Sequence, residues 1–250
     1  MSSIRKLINQ TAIYGTSSII GRFLNFLLTP LYALQFSNEQ YGIITEMYAY
    51  VAFLVVVLTY GMETAFFRFS TIDKKNRLNI YSNTLYSLVC TSALFIAMAS
   101  IFAENIADWL KYPNHKEYII WFSLIVSLDA ISSIPLAKLR LEEKAKKFAL
   151  VNILNVAVNI FLNLFFIIYC KEAYENGEQN WVLRNLYDPE IGIGYVFISN
   201  LIASILKFSV LVPVMNFKGH FDFTILKQMI KYASPMLLVG LAYVINETLD

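Results

Sequence analysis

An arginine buried in an apolar run is expensive, so its presence asks for a reason. Arg22 sits inside the run from Thr11 to Leu34, about 16 Å along a helix that rises 1.5 Å per residue. A charge at that depth costs roughly 2.5 to 3.5 kcal/mol on insertion scales and therefore belongs in a bundle interior or a watery cavity. Ser18, Arg22, Asn25 and Thr29 recur at i, i+4, i+7 and i+11 and share one helix face. Pro30 follows, at a place where that helix can bend. A guanidinium on such a stripe can grip phosphate oxygens in pairs, which suits an anionic headgroup. Pairing with a carboxylate to hold two helices together is the structural alternative.

A second stripe carries no charge. Asn152, Asn155, Asn159 and Asn163 also fall on one face. Their amides suit sugar hydroxyls, and interhelical hydrogen bonding explains them equally well. Asn200, Ser204 and Lys207 form a third face, where Lys207 is either a second cavity cation or a side chain snorkelling to the membrane surface. Two acids in apolar runs, Asp129 and Glu247, are candidates to bind a coupling proton or sodium ion, with a structural ion pair as the alternative reading.

The sequence carries no catalytic constellation. His115 and His220 are isolated and match no metal or triad spacing. No Gly-rich phosphate loop is present to use ATP. We therefore expect no cofactor, no metal and no enzymatic step. Cys90 and Cys170 form no C-x-x-C pair and read as packing residues.

The elements that must position these residues follow from composition. Hydrophobic residues make up 57% of the 250 and charged residues only 15%, well below the roughly one-quarter charged that is usual for soluble domains. They gather into blocks near the 20 residues a helix needs to cross hydrocarbon. The blocks predict spans at Thr11–Leu34, Tyr41–Phe66, Ile80–Phe102, Tyr118–Leu136, Phe148–Cys170 and Gly192–Met215, with a seventh opening near Ala233. The expected fold is an all-α, polytopic membrane helix bundle. Residues 1–216 form an N-terminal six-helix lobe, and 217–250 a linker and the start of a second lobe in a longer protein.

Lysine and arginine alternate between the loops. Fourteen fall on one side and four on the other, which by the positive-inside rule places the N-terminus in the cytoplasm. The basic segments 138–147 and 217–231 mix Lys with apolar residues; basic loops that fix topology explain them, with helices lying along lipid headgroups as the alternative. In the outward loop Lys171–Glu190, Trp181 and Tyr187 are candidate interfacial anchors. The net charge of +2 gives no ground for a nucleic-acid partner; the expected partners are membrane lipids and whatever the polar faces bind.

Several stretches resemble a known family: Gly21-Arg22-Phe23-Leu24-Asn25-Phe26-Leu27-Leu28-Thr29-Pro30-Leu31-Tyr32, Asn38-Glu39-Gln40-Tyr41-Gly42, Gly61-Met62-Glu63-Thr64-Ala65-Phe66-Phe67-Arg68-Phe69, Leu139-Arg140-Leu141-Glu142-Glu143-Lys144-Ala145 and Ser234-Pro235. Together they are similar to bacterial polysaccharide-biosynthesis flippases of the multidrug, oligosaccharidyl-lipid and polysaccharide exporter superfamily. The resemblance implies a two-lobed inner-membrane transporter with a central cavity. By alternating access it would move a polyprenyl-pyrophosphate-linked oligosaccharide outward, for polysaccharide or lipopolysaccharide assembly. It further implies that Arg22 is a cavity cation, and that Glu63 and Arg68 are structural. A cation-coupled drug antiporter of the same superfamily would want a cavity dominated by carboxylates. A membrane-embedded glycosyltransferase or polymerase would need a catalytic cluster on an outward loop.

Overall fold

A computed structural model describes residues 13–17, 19–21, 23–24, 26–112, 115–178 and 181–249, apart from the side chains of 247–249. The described residues contain helices and no strand. The described positions between 13 and 26 are helical and lead into α1 (Leu28–Gln35). Then follow α2 (Asn38–Thr59), α3 (Met62–Ile72), α4 (Arg77–Ile101), α5 (Ala103–Trp109), α6 (Lys116–Leu141) and α7 (Ala145–Asn163). A π-helical stretch, Leu164–Cys170, joins α7 to α8 (Lys171–Glu175). The order closes with α9 (Trp181–Leu186), α10 (Gly194–Leu211) and α11 (Phe223–Leu249).

Among the described residues six helical stretches are long and apolar enough to cross a membrane: Asn38–Ile72, Arg77–Ile101, Lys116–Leu141, Ala145–Glu175, Gly194–Val214 and Phe223–Asn246. They correspond to the second through seventh expected spans. The chain is thus a multi-pass membrane protein, because in hydrocarbon only a helix or a closed barrel satisfies its own backbone. Large apolar side chains such as Leu94, Leu150, Phe161 and Leu238 stand on the outside, each more than 60% exposed, where lipid rather than water is the favourable neighbour.

Helix α6 forms the centre of the bundle. Its apolar stretch is 61% buried, against 39% or less for the other five. Small residues allow this, since Ser123, Ser127, Ala130, Ser132 and Ala137 let neighbouring backbones approach. The helix ends in a left-handed residue, Glu143 (φ 57°). Around it Lys144 N–H donates to the Leu139 carbonyl (2.8 Å) and Glu143 N–H to that of Arg140 (3.1 Å), a Schellman arrangement. The basic segment 138–147 is therefore a tight reversal between two spans and not a headgroup helix.

The second basic segment is not loop throughout. Helix α11 begins at Phe223, ten residues before Ala233. Lys227, Gln228 and Lys231 read as loop, yet they occupy an exposed face while Leu226, Met229 and Ala233 are buried at i, i+3 and i+7. Pro235 lies inside this helix and has no N–H for the Lys231 carbonyl. The Ser234 hydroxyl donates to that carbonyl instead (3.2 Å). Where α11 crosses the α2–α3 junction, Gly61 is in the left-handed region (φ 73°), and a β-carbon there would lie 2.6 Å from the Ala233 carbonyl oxygen. Only glycine meets both demands.

Residues 216–222, between α10 and α11, have no helical partner for their backbone. Polar side chains on the first turns of α4 take its place. Ser82 Oγ accepts from Gly219 N–H and donates to the Asn216 carbonyl, both at 3.0 Å. Asn83 accepts from Asp222 N–H (2.9 Å) and donates to the His220 carbonyl (3.1 Å). Asn79 accepts from His220 N–H (3.0 Å), and Tyr86 donates to the Phe217 carbonyl (3.0 Å). The connection is thereby docked along its length.

Candidate functional site

Five helices converge on one polar cleft of about 430 Å³. Thr29 and Tyr32 come from α1, and Tyr41, Thr45 and Tyr48 from α2. Asp129 comes from α6, Asn155 and Asn159 from α7, and Asn200 from α10. Three of the faces singled out above thus meet, although they are far apart in the chain. Of the other site candidates, Ser18, Arg22 and Asn25 lie outside the described residues, as does the side chain of Glu247.

The asparagine stripe divides. Asn155 and Asn159 line the cleft. Asn152 turns back to donate to the Phe148 carbonyl (3.2 Å). Asn163 is fully buried and bonds to Asn159 Oδ1 (3.1 Å) while accepting from the Tyr32 hydroxyl (2.9 Å). Asn155 Nδ2 is the exception: it is buried and has no hydrogen-bond partner among the described residues. An amide donor left unpaired costs about 1 to 3 kcal/mol, a cost that a ligand hydroxyl would offset.

Among the described residues the charge in the cleft wall is paired. Lys207 Nζ lies 2.6 Å from Asp129 Oδ1, with the side chains 11% and 27% exposed, and the Ser204 hydroxyl donates to the same oxygen (3.0 Å). Asp129 faces the cleft with Lys207 behind it. Asn200 Nδ2 donates to the Tyr48 hydroxyl (3.3 Å), and Tyr48 is wedged edge-on between Phe122 and Phe197. The result is a wall of amides, phenols and one neutralised carboxylate. Such groups bind hydroxyls by donating and accepting together.

The tyrosines are what the sequence reading missed. Tyr41, Thr45 and Tyr48 have the same i, i+4, i+7 spacing as the other faces, but tyrosine in an apolar block passes for an interfacial anchor.

At the lysine-rich end the conspicuous charges have other partners. Glu63 forms an ion pair with Arg140, whose guanidinium also lies over the Phe148 ring (5.5 Å). Arg68 covers Tyr232 (4.3 Å). These contacts tie α3 to α6 and α11. Among the described residues no group of three or more His, Cys, Asp or Glu side chains could hold a metal ion. Both cysteines are free, Cys170 buried and Cys90 exposed.

Residues 35–175, more than half of the 250-residue chain, match the family model described as polysaccharide biosynthesis protein. The chain belongs to that family. No curated protein and no solved structure matches it. The match runs from the end of α1 to α8 and takes in the contributions of α2, α6 and α7 to the cleft. A role in polysaccharide biosynthesis, with lipid and glycan as its surroundings, follows from membership of the polysaccharide biosynthesis family.

Proposed function

We propose that the chain serves as a lobe of a flippase that carries a polyprenyl-pyrophosphate-linked oligosaccharide across the inner membrane by alternating access, with its N-terminus in the cytoplasm. The observation that carries this reading is the cleft itself. A polar hollow of about 430 Å³ among membrane-spanning helices falls within the roughly 300 to 1,000 Å³ of ligand sites. Among the described residues its lining is amides, phenols and one paired carboxylate. Asn155, Asn159 and Asn200 would take glycan hydroxyls. Arg22, which shares a helix face with Thr29 by spacing, would take the pyrophosphate. The Asp129–Lys207 pair is the place where a proton or sodium ion would couple, since either one competes with the ammonium for the carboxylate.

The lining favours a glycan carrier over a cation-coupled drug antiporter, whose cavity would be dominated by carboxylates, because Asp129 is the one carboxylate among the described residues of the cleft wall. The role is transport, with no bond made or broken by the chain. The deciding experiment measures outward translocation of a lipid-linked oligosaccharide in cells expressing the intact protein. Wild type is compared with Arg22→Ala and Asn155→Leu at matched insertion. Loss in both variants is expected; wild-type translocation in both would overturn the cleft as the substrate path.

A further inference from the structure

A second cavity, of about 300 Å³, lies at the end of the bundle opposite the lysine-rich loops. Its floor is a ladder of rings. Phe166 stacks on Tyr195 (centroids 4.5 Å apart, planes 18°), and Tyr195 stacks on Tyr187 (5.2 Å, 12°). Tyr174 then meets Tyr187 at 55° and 5.9 Å, forming a corner instead of continuing the stack. The ladder is held from below, because the Tyr195 hydroxyl accepts from Asp188 N–H (2.6 Å) and donates to the Leu186 carbonyl (3.4 Å). Phe166 and Tyr195 are buried, Tyr187 is half-buried and Tyr174 exposed. The rings are thus ordered before any ligand arrives, which lowers the entropy cost of binding.

The rim is polar. Lys171 Nζ donates to the Gln35 carbonyl and to Gln35 Oε1, both at 3.2 Å. Its partners are neutral, and one of its three hydrogens is left over. Gln40 uses its Oε1 to cap α2 through Ser37 N–H (3.2 Å), which leaves its amide donors unspent. Glu175, one turn beyond Lys171, lines the same cavity. A π-helical stretch, Leu164–Cys170, immediately precedes Lys171, Tyr174 and Glu175, which line the cavity. Such stretches recur at functional sites.

An interfacial anchor would explain a tyrosine that faces lipid. Exposed Tyr169 and Trp181 fit that description, whereas Tyr187 lines a cavity and rests on a buried ring. Aromatic faces bordered by a carboxylate, an amide and an ammonium are the complement of a pyranose. Its C–H face is apolar and its edge carries hydroxyls that both donate and accept.

We propose that this cavity is a second saccharide site, in which one pyranose unit of the glycan sits in the Tyr187–Tyr174 corner while Glu175, Gln40 and Lys171 bind its hydroxyls. The inference rests on the reading that the chain carries a glycan, and it adds a place where sugar is held at the mouth of the path, apart from the central cleft. The test uses the intact protein in lipid nanodiscs. The probe is the water-soluble oligosaccharide released by mild acid from the expressing cells' own lipid-linked pool, and binding is followed by saturation-transfer NMR. Wild type is expected to bind it. Tyr187→Leu should bind about tenfold more weakly, and Tyr187→Phe, which keeps the ring and its stack, within about threefold of wild type. Leu94→Ala, on the outer face of the bundle and in the lining of neither cavity, should leave this binding unchanged. Equal binding in wild type and Tyr187→Leu, or equal loss in Tyr187→Phe and Tyr187→Leu, would overturn the site. A wild type that translocates the lipid-linked glycan but does not bind the probe also overturns it while leaving the transport reading standing. Probe binding that depends on Tyr187 in a protein without translocation supports the site and removes the transport reading.

Discussion

Removing one member of the Lys207–Asp129 pair should cost far more than removing both. The pair spans α10 and α6 at 2.6 Å, and Asp129 is the middle of a 26-residue helix, far from either end. Breaking a buried pair by deleting one partner typically costs about 3 to 5 kcal/mol, because the other charge stays behind. Two features reduce that figure. Asp129 keeps the Ser204 hydroxyl as a partner (3.0 Å) and borders the cleft, where it is 27% exposed. Lys207→Met, which strands the carboxylate, should therefore cost about 3 kcal/mol, near the insertion cost of one mid-membrane charge. Asp129→Asn strands an ammonium that is only 11% exposed and should cost a similar amount. The double variant Asp129→Asn/Lys207→Met leaves no bare charge and should lie within about 1 kcal/mol of wild type, a coupling of about 5 kcal/mol. The assay is reversible unfolding in mixed micelles, read as a double-mutant cycle, beside translocation for all four proteins. Additive single losses, with coupling under about 0.5 kcal/mol, would refute the pairing argument. A stable double variant that fails to translocate would identify the pair as part of the coupling machinery rather than a helix clasp.

Three further outcomes follow from the geometry. Gly219→Ala should destabilise by about 1 to 3 kcal/mol, since its β-carbon would sit 2.6 Å from the Leu78 carbonyl and 2.7 Å from Ser82 Oγ. The same variant should open segment 216–222 to protease, and wild-type cleavage rates would count against tight docking. Asn83→Leu removes two bonds to that segment (2.9 and 3.1 Å) and should cost about 2 to 3 kcal/mol in the same unfolding assay. At the α3–α4 turn, Asn76 holds the Asp73 carboxyl below its ordinary range by donating from its side chain and backbone. A carboxyl lowered on folding stabilises above its unfolded pKa and loses that contribution as pH falls through the folded value. Hydrogen exchange at Asn76 should therefore become less protected, relative to neighbouring amides, as pH drops below the usual carboxylate range; a flat protection ratio would refute the link.

Much of this protein was legible one residue at a time. Spans show in the sequence because hydrocarbon forces each crossing segment to satisfy its own backbone and to be about 20 apolar residues long. The convergence of Asn155 and Asn159 on one wall was legible for a similar reason, since a 3.6-residue period leaves no choice about which residues share a face. Periodicity does not say what a face meets. Asn152 belongs to the same stripe, yet it bonds to its own helix, and Lys207 was a cavity candidate until its partner, 78 residues away, was in place. The start of α11 was hidden because Lys227 and Lys231 point outward while the buried side of the same turns packs on α3 and α4. The tyrosines of the cleft and of the ring ladder were hidden because a phenol is apolar along its ring and polar at its tip. Which end matters depends on what the rest of the bundle brings to it, and that is decided by packing between helices far apart in the chain.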